Sequence, residues 1–457
     1  MVGPAAGSDY LKTGTDPTGT LALGTLNNCG GSATPWGTYV TGEENYDFYF
    51  RQPAAVDLTP EERRYLQSAL SGLIGVHRGD TRFDMLQPGN RNEPNRFGWI
   101  VEIDPFDPKS TPVKLTALGR FKHEMAAVRL TSDGRAVAYS GDDERNNYIY
   151  KFVASRTWQE AKRLGRSPLE EGTLYVAKFS AGGTAGDGMG TGEWIPLTPA
   201  HPALLGRSLE HILVFTRLAA DAVGATRMDR PEWLSVAPDG NVYVCCTNNT
   251  RRGRATTNPT EADGTATPLT AAIDEANPRG GPAGNPYGQI LRWAEDGDAD
   301  ATTFTWDIFA LAGDPTNPTN LPGAAAGGNV IGDQFAAPDA VTVDRHGRVW
   351  VGTDIFSSDA GVGAYQNFKN NVLLAADPAT KEFRRFLVGP VGSEVTGITF
   401  SPDQRAMFVD IQHPGEPATI FTANLDDVSC HWPDGGTSRP RSATLVVTKN
   451  DGGIIGT

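Results

Sequence analysis

Residues 233–249, WLSVAPDGNVYVCCTNN, decide the fold. An apolar and β-branched run reaches a turn at Asp239-Gly240, and a second such run starts at Val242. Strand, tight turn, strand is the signature of an antiparallel hairpin. Three other stretches repeat it: MAAVRLTSDGRAVAYSGDD (125–143), AVTVDRHGRVWVGTD (340–354) and TGITFSPDQRAMFVDIQH (396–413). Their turns fall at Asp133-Gly134, His346-Gly347 and Asp403-Gln404. Recurrent hairpins with no βαβ alternation predict an all-β chain, a β-propeller. Six blades are expected, although the uneven spacing of the turns does not count them.

That spacing predicts a single propeller domain over 1–457, with insertions near 51–97, 197–224, 250–288 and 312–337. One insertion opens with Thr59-Pro60-Glu61-Glu62. A hydroxyl cap, Pro in the first turn and acids at the positive helix end predict a helix running to about Leu73. A second helix is predicted over 205–223, where apolar residues recur at helical spacing. The stretches 250–288 and 312–337 read as long polar loops, which in a domain are usually functional.

Bulk properties narrow the class. Of 457 residues, 39% are hydrophobic and 21% charged, the balance of a globular chain. The 53 glycines and 32 prolines fit many short elements rather than a helical bundle. A net charge of −14 argues against nucleic acid or an anionic membrane as partner. It still permits an anionic substrate if cations stand between. No apolar run is long enough to span a bilayer, and the opening MVGPAAGSDY shows no charged-then-apolar leader. Four cysteines, two of them adjacent (Cys245 and Cys246), do not make a disulfide scaffold.

The chemistry sits at the hairpin ends. An acid precedes each first strand, seven or nine residues before its turn: Glu124, Glu232, Asp339 and Glu394. A second polar group follows three of the hairpins: Asp142 and Asp143, Asn248 and Asn249, and Asp354. One acid at a strand end is ordinarily a solvated rim charge. Four at equivalent places converge on a propeller axis, where bare carboxylates would repel and a cation must offset them. Oxygen donors of this kind suit calcium or ferric iron. In RMDRPEW, Pro231 should hold Arg230 extended, so that Arg230 and Glu232 share a face. A guanidinium there could clamp a phosphate, although a local ion pair is the commoner outcome. In NNCGGSATPWGTYVTGEENY (27–46), Cys29 offers a thiolate that would favour a transition metal. The commoner fate of such a residue is a buried small hydrophobe. Glu43 and Glu44 offer further oxygens and Asn45 an amide donor.

The stretch from Cys29 to Asn45 with its TPWGT core resembles the signature of PhoX-type alkaline phosphatases. The resemblance continues through GWIVEIDP, LGRFKHE, YSGDD, RPEW, PDAVTVD, GPVGSEVTG, IQHPGE and RPRSATLVV, in order over nearly the whole chain. It implies a propeller that hydrolyses phosphate monoesters with ferric iron, calcium and a bridging oxo group. It further implies export to the periplasm or beyond, and a monomer. By motif, Cys29, Glu124 and Glu232 correspond to ligands of the metal cluster, with Asp143, Asp339 and Glu394 as further ligands. Arg230 and Asn45 correspond to the pair that grips the phosphate, and Glu43 and Glu44 fall within the motif. Two rival readings remain at this stage. A calcium-dependent lactonase-like propeller would need neither thiolate nor arginine, and a non-catalytic propeller would bind no iron.

Overall fold

The computed structural model describes residues 1–66, 70–253, 271–316, 327–416 and 428–457. All four hairpins form where the sequence places them. Ala127–Leu130 pairs with Arg135–Gly141, Pro231–Val236 with Val242–Cys246, Pro338–Val343 with Val349–Thr353, and Glu394–Phe400 with Ala406–Gln412, all antiparallel. Each turn closes with the same bond, an N–H donating three residues back: Gly134 to Thr131, Gly240 to Ala237, Gly347 to Asp344 and Gln404 to Ser401. The donor takes a left-handed backbone each time, with φ of 88°, 90°, 83° and 60°. Glycine does this freely, and Gln404 does it in glycine's place.

Each hairpin is the inner half of a blade. The second blade continues with Ile149–Thr157 and Gly172–Ala181, the third with Gln289–Glu295 and Thr303–Leu311, and the fourth with Val372–Ala376 and Glu382–Val388. The fifth adds only Ala443–Thr448. The first blade runs Asn28–Ala33, Tyr39–Glu43, Ile100–Ile103 and Val113–Leu115. Among the described residues five such units are present, against the six expected. One extra strand, Met189–Pro196, pairs with outer strands of the second and third blades and fuses them into a nine-stranded sheet. The five innermost strands all line a cavity of about 1020 Å³ on the common axis, at Gly30, Ala127, Leu234, Thr342 and Ile398.

The insertions depart from expectation in two places. The helix capped by Thr59 forms with a full capping box to Glu62 but spans only Pro60–Tyr65, because Leu66 is already extended. Residues 67–69 of the expected helix lie outside the described residues, as do 254–270 and 317–326 of the two long loops. The helix expected over 205–223 is two, Leu209–Val214 and Thr216–Ala222, broken at Phe215. Two groups compete for the helical bonds at the break. Arg120 N donates to Leu213 O at 2.8 Å, and Thr216 Oγ1 donates to the same carbonyl at 2.8 Å.

What brings the acids together is close contact between neighbouring blades. Gly141 lies against the Pro231 carbonyl so tightly that a Cβ would sit 2.3 Å from it, and Gly352 meets the Val395 carbonyl at 2.1 Å. Each glycine stands two residues before the second acid of its blade, Asp143 or Asp354, and touches the next blade beside its first acid, Glu232 or Glu394. In the third blade Cys245 fills the equivalent place, its thiol facing Ala340 O at 3.8 Å. A side chain at either glycine must push two backbones apart. Gly141→Ala is therefore expected to lower unfolding free energy by about 1–3 kcal/mol, read from urea unfolding; an unshifted midpoint would contradict the blade contact.

Candidate metal centre

At one end of the axis, a second cavity of about 330 Å³ shares Cys29 and Glu44 with the axial channel. Its wall includes Asn45, Glu124, Asp143, Arg230, Glu232, Asp339, Asp354, Glu394 and His413. Every acid read from the sequence as a ligand is there except Glu43. Strand irregularities aim some of them. The inner strands of the third and fourth blades are bulged between Pro231 and Leu234 and between Pro338 and Val341, which re-aims Glu232 and Asp339. The residue two before the acid has a left-handed backbone in three blades: Arg230 (φ 56°), Ala337 (51°) and Gly392 (65°). The expectation that Pro231 keeps Arg230 extended thus fails. Arg230 and Glu232 still meet, Nη2 lying 3.0 Å from Oε1.

Three groupings of donor atoms lie within 4.8 Å: Cys29 with Glu44 and Glu124; Glu124 with Asp143 and Glu232; and Asp354 with Glu394 and His413. Glu124 belongs to two of them and accepts a hydrogen bond from Cys29 Sγ at 2.9 Å. At such separations each pair of ionised acids repels by roughly 3 kcal/mol at an effective dielectric of about 20. Protonation relieves this in the metal-free chain. Burial, then the charge of Asp143, pushes Glu124 up to about 8. Burial, then Glu394, pushes Asp354 up to about 7. Burial followed by Glu124, Asp143 and Glu394 respectively raises Glu44, Glu232 and Asp339 well above the carboxylate range. Burial and then Glu124 raise the Cys29 thiol too. Asp143 is held low: burial would raise it, but the Arg230 guanidinium outweighs burial with bonds of 2.8 Å and 2.9 Å. Burial would lower His413, yet its contact with Glu394 at 3.3 Å raises it to about 9. Buried acids kept neutral only for want of a counter-charge, with a thiol and an imidazole among them, fit a group of cations.

Glu43 does other work, and its reading as a ligand is corrected. One carboxylate oxygen accepts from Lys114 Nζ and Thr25 Oγ1, each at 2.8 Å, and from Leu26 N at 2.9 Å. The other takes the N–H groups of Gly98 and Trp99. Both oxygens face the first blade's own interior, so Glu43 fixes the strand end from which Glu44 and Asn45 enter the cavity. Asp142 likewise turns away to Arg217. Asn249 binds Asn146 and Asp229 at 2.8 Å rather than the cavity.

His413 was missed, although the chain carries a signal for it. Nineteen residues separate Glu124 from Asp143, and nineteen separate Glu394 from His413. Fifteen separate Asp339 from Asp354 and Glu232 from Thr247. In the second and fifth blades the second cavity position stands nineteen residues after the first, and in the fifth blade it falls on histidine.

Such a gathering of acids suits an enzyme that works through cations. An arginine with a donor left over for an anion narrows the class to metal-dependent phosphatases on a propeller frame. The profile of the family described as alkaline phosphatase PhoX matches residues 1–415. A solved structure of Pseudomonas fluorescens PhoX, in complex with vanadate as a transition state analogue, is 46% identical, covers 100% of this chain and 75% of its own, and superposes with a TM-score of 0.83. The chain belongs to the alkaline phosphatase PhoX family. Other solved structures align more weakly. A gluconolactonase from Xanthomonas campestris is 14% identical, covering 68% of this chain and 62% of its own with a TM-score of 0.24. A protein of unknown function from Dyadobacter fermentans is 12% identical, covering 63% and 60% with a TM-score of 0.25. A search of curated proteins finds no match.

The raised groups set the sign of a pH effect. An acid whose pKa is higher folded than unfolded contributes stability below about pH 4, lost as pH rises through its folded value. For Glu124 and Asp354 the loss runs from about pH 4 and is complete by about 8 and about 7 respectively, and His413 extends it in the same direction to about 9. Asp143 has the opposite sign but acts only in strong acid. Chelator-stripped protein should therefore melt lower at pH 8.5 than at pH 5.5, and restored metal should remove most of the difference. A stripped protein whose melting temperature is flat over that range would contradict the assignment.

Proposed function

We propose that the chain hydrolyses phosphate monoesters through an iron–calcium cluster held in this cavity, and that it acts as a monomer in the periplasm or outside the cell. Cys29, Glu44, Glu124, Asp143 and Glu232 would hold the thiolate-bearing, iron-containing part. Asp339, Asp354, Glu394 and His413 provide the oxygen-rich part suited to calcium. When bound, the cations offset the ester's negative charge and act as Lewis acids toward it. No helix among the described residues is long and apolar enough to cross a membrane.

The observation that carries the reading is the state of Arg230. Its Nε and Nη2 are engaged by Asp143 and Glu232, while Nη1 is buried on the cavity wall with no hydrogen-bond partner. A buried charged donor without an acceptor is costly, and a phosphate oxygen would satisfy it. The clamp by Asp143 means Arg230 need not reorganise when charge develops on the equatorial oxygens. Asn45 adds a second donor. Its amide donates to Glu44, which ties the phosphate grip to the metal ligands. The Pseudomonas relative binds vanadate, a transition state analogue, and this supports the same reading here.

Two measurements test this. Protein purified without chelators should contain iron and calcium, and Cys29→Ser should lose iron first; calcium alone in the wild type would rule the cluster out. Arg230→Ala should lower kcat on an aryl phosphate about a hundredfold or more with metal content retained. Near-full activity in that variant would remove Arg230 from the chemistry.

A further inference from the structure

Two cations among the described residues line the cavity without a part in the metal and phosphate reading, Lys122 and Arg145. Lys122, also on the wall, is already neutralised by Asp47 and Glu144, each at 3.2 Å. Glu144 is Arg145's own chain neighbour, yet its carboxylate pairs with Lys122 at 3.2 Å and accepts the backbone N–H of Arg145 at 3.1 Å. Arg145 therefore lines the cavity without an ion pair among the described residues, and its Nε is buried with no hydrogen-bond partner. Its position is not accidental to a floppy loop. Arg145–Asn147 forms a two-stranded ladder with Met228–Asp229 in which Arg145 stands opposite Asp229, the residue before Arg230. Arg145 and Arg230 thus line one cavity, and each keeps a buried nitrogen with no hydrogen-bond partner, Nε of Arg145 and Nη1 of Arg230. Two like charges on one cavity wall, each with an unmet donor, call for more than one anionic acceptor.

We propose that Arg145 is a specificity-determining residue that binds a second anionic group on the substrate's alcohol portion. Preferred substrates are then phosphate monoesters whose leaving group carries a further phosphate, such as sugar bisphosphates. The proposal rests on the phosphatase reading above, with Arg230 taking the reacting phosphoryl group and Arg145 the spectator one.

The test compares fructose 1,6-bisphosphate with fructose 6-phosphate by orthophosphate release from the metal-loaded enzyme. Wild type should show the higher kcat/KM on the bisphosphate, through KM, and the advantage should shrink as salt rises. Arg145→Gln should cut the bisphosphate-to-monophosphate ratio by about tenfold, the size of a lost charge-assisted bond. Arg145→Lys should recover part of it. A wild type with no preference for the bisphosphate overturns the proposal even if the variants fail to fold. So does an equal loss on both substrates, which would put Arg145 on the reacting phosphate. A wild type that releases no phosphate from either compound fails the phosphatase reading itself, a different result from a phosphatase without preference.

Discussion

The structure depends on one electrostatic conflict. Seven carboxylates, from Glu44, Glu124, Asp143, Glu232, Asp339, Asp354 and Glu394, converge with the Lys122-paired Glu144 on a cavity of about 330 Å³. Left bare, they must take up protons or be driven apart. The fold does not permit escape by movement, because inner strands that carry these acids are locked by glycine contacts between blades. A propeller is suited to hold such a conflict. Each blade contributes one or two groups, and no blade alone suffers the repulsion. The cluster thus exists only in the assembled ring, and cations that bind it stabilise the ring as a whole.

The frame was largely legible in the chain because it is local. A hairpin is specified by a turn residue able to adopt positive φ and by runs on either side, and each of these can be read within about twenty residues. Gln404 shows how far this goes, since the strands around it identified the turn where glycine was absent. Convergence of Glu124, Glu232, Asp339 and Glu394 was legible for the same reason, as a repeated offset from the turn. What was not legible is non-local. The helix break at Phe215 depends on Arg120 arriving from another part of the chain. The inward turn of Glu43 depends on Lys114, some seventy residues on. Adjacent acids such as Glu43-Glu44 and Asp142-Asp143 point opposite ways, and only the partner supplied by the fold decides which member faces the cavity.

Arg230 shows how the frame prepares the site before any ligand arrives. Its backbone lies at φ 56°, where a bulky side chain before proline is disfavoured. Such a conformation persists only when its surroundings over-determine it. Here Thr247 N donates to the Arg230 carbonyl, Pro231 begins the inner strand, and Asp143 holds the guanidinium by two bonds. Ala337 adopts the same backbone one blade on, with Asp354 N donating to its carbonyl. The conformation therefore belongs to the blade geometry, and the arginine is placed upon it. A side chain fixed this way loses little entropy on meeting an anion, so its remaining donor acts in full when charge develops. The same backbone that carries the acids to the axis also directs a cation among them, and this lets an acidic protein hold an acidic substrate.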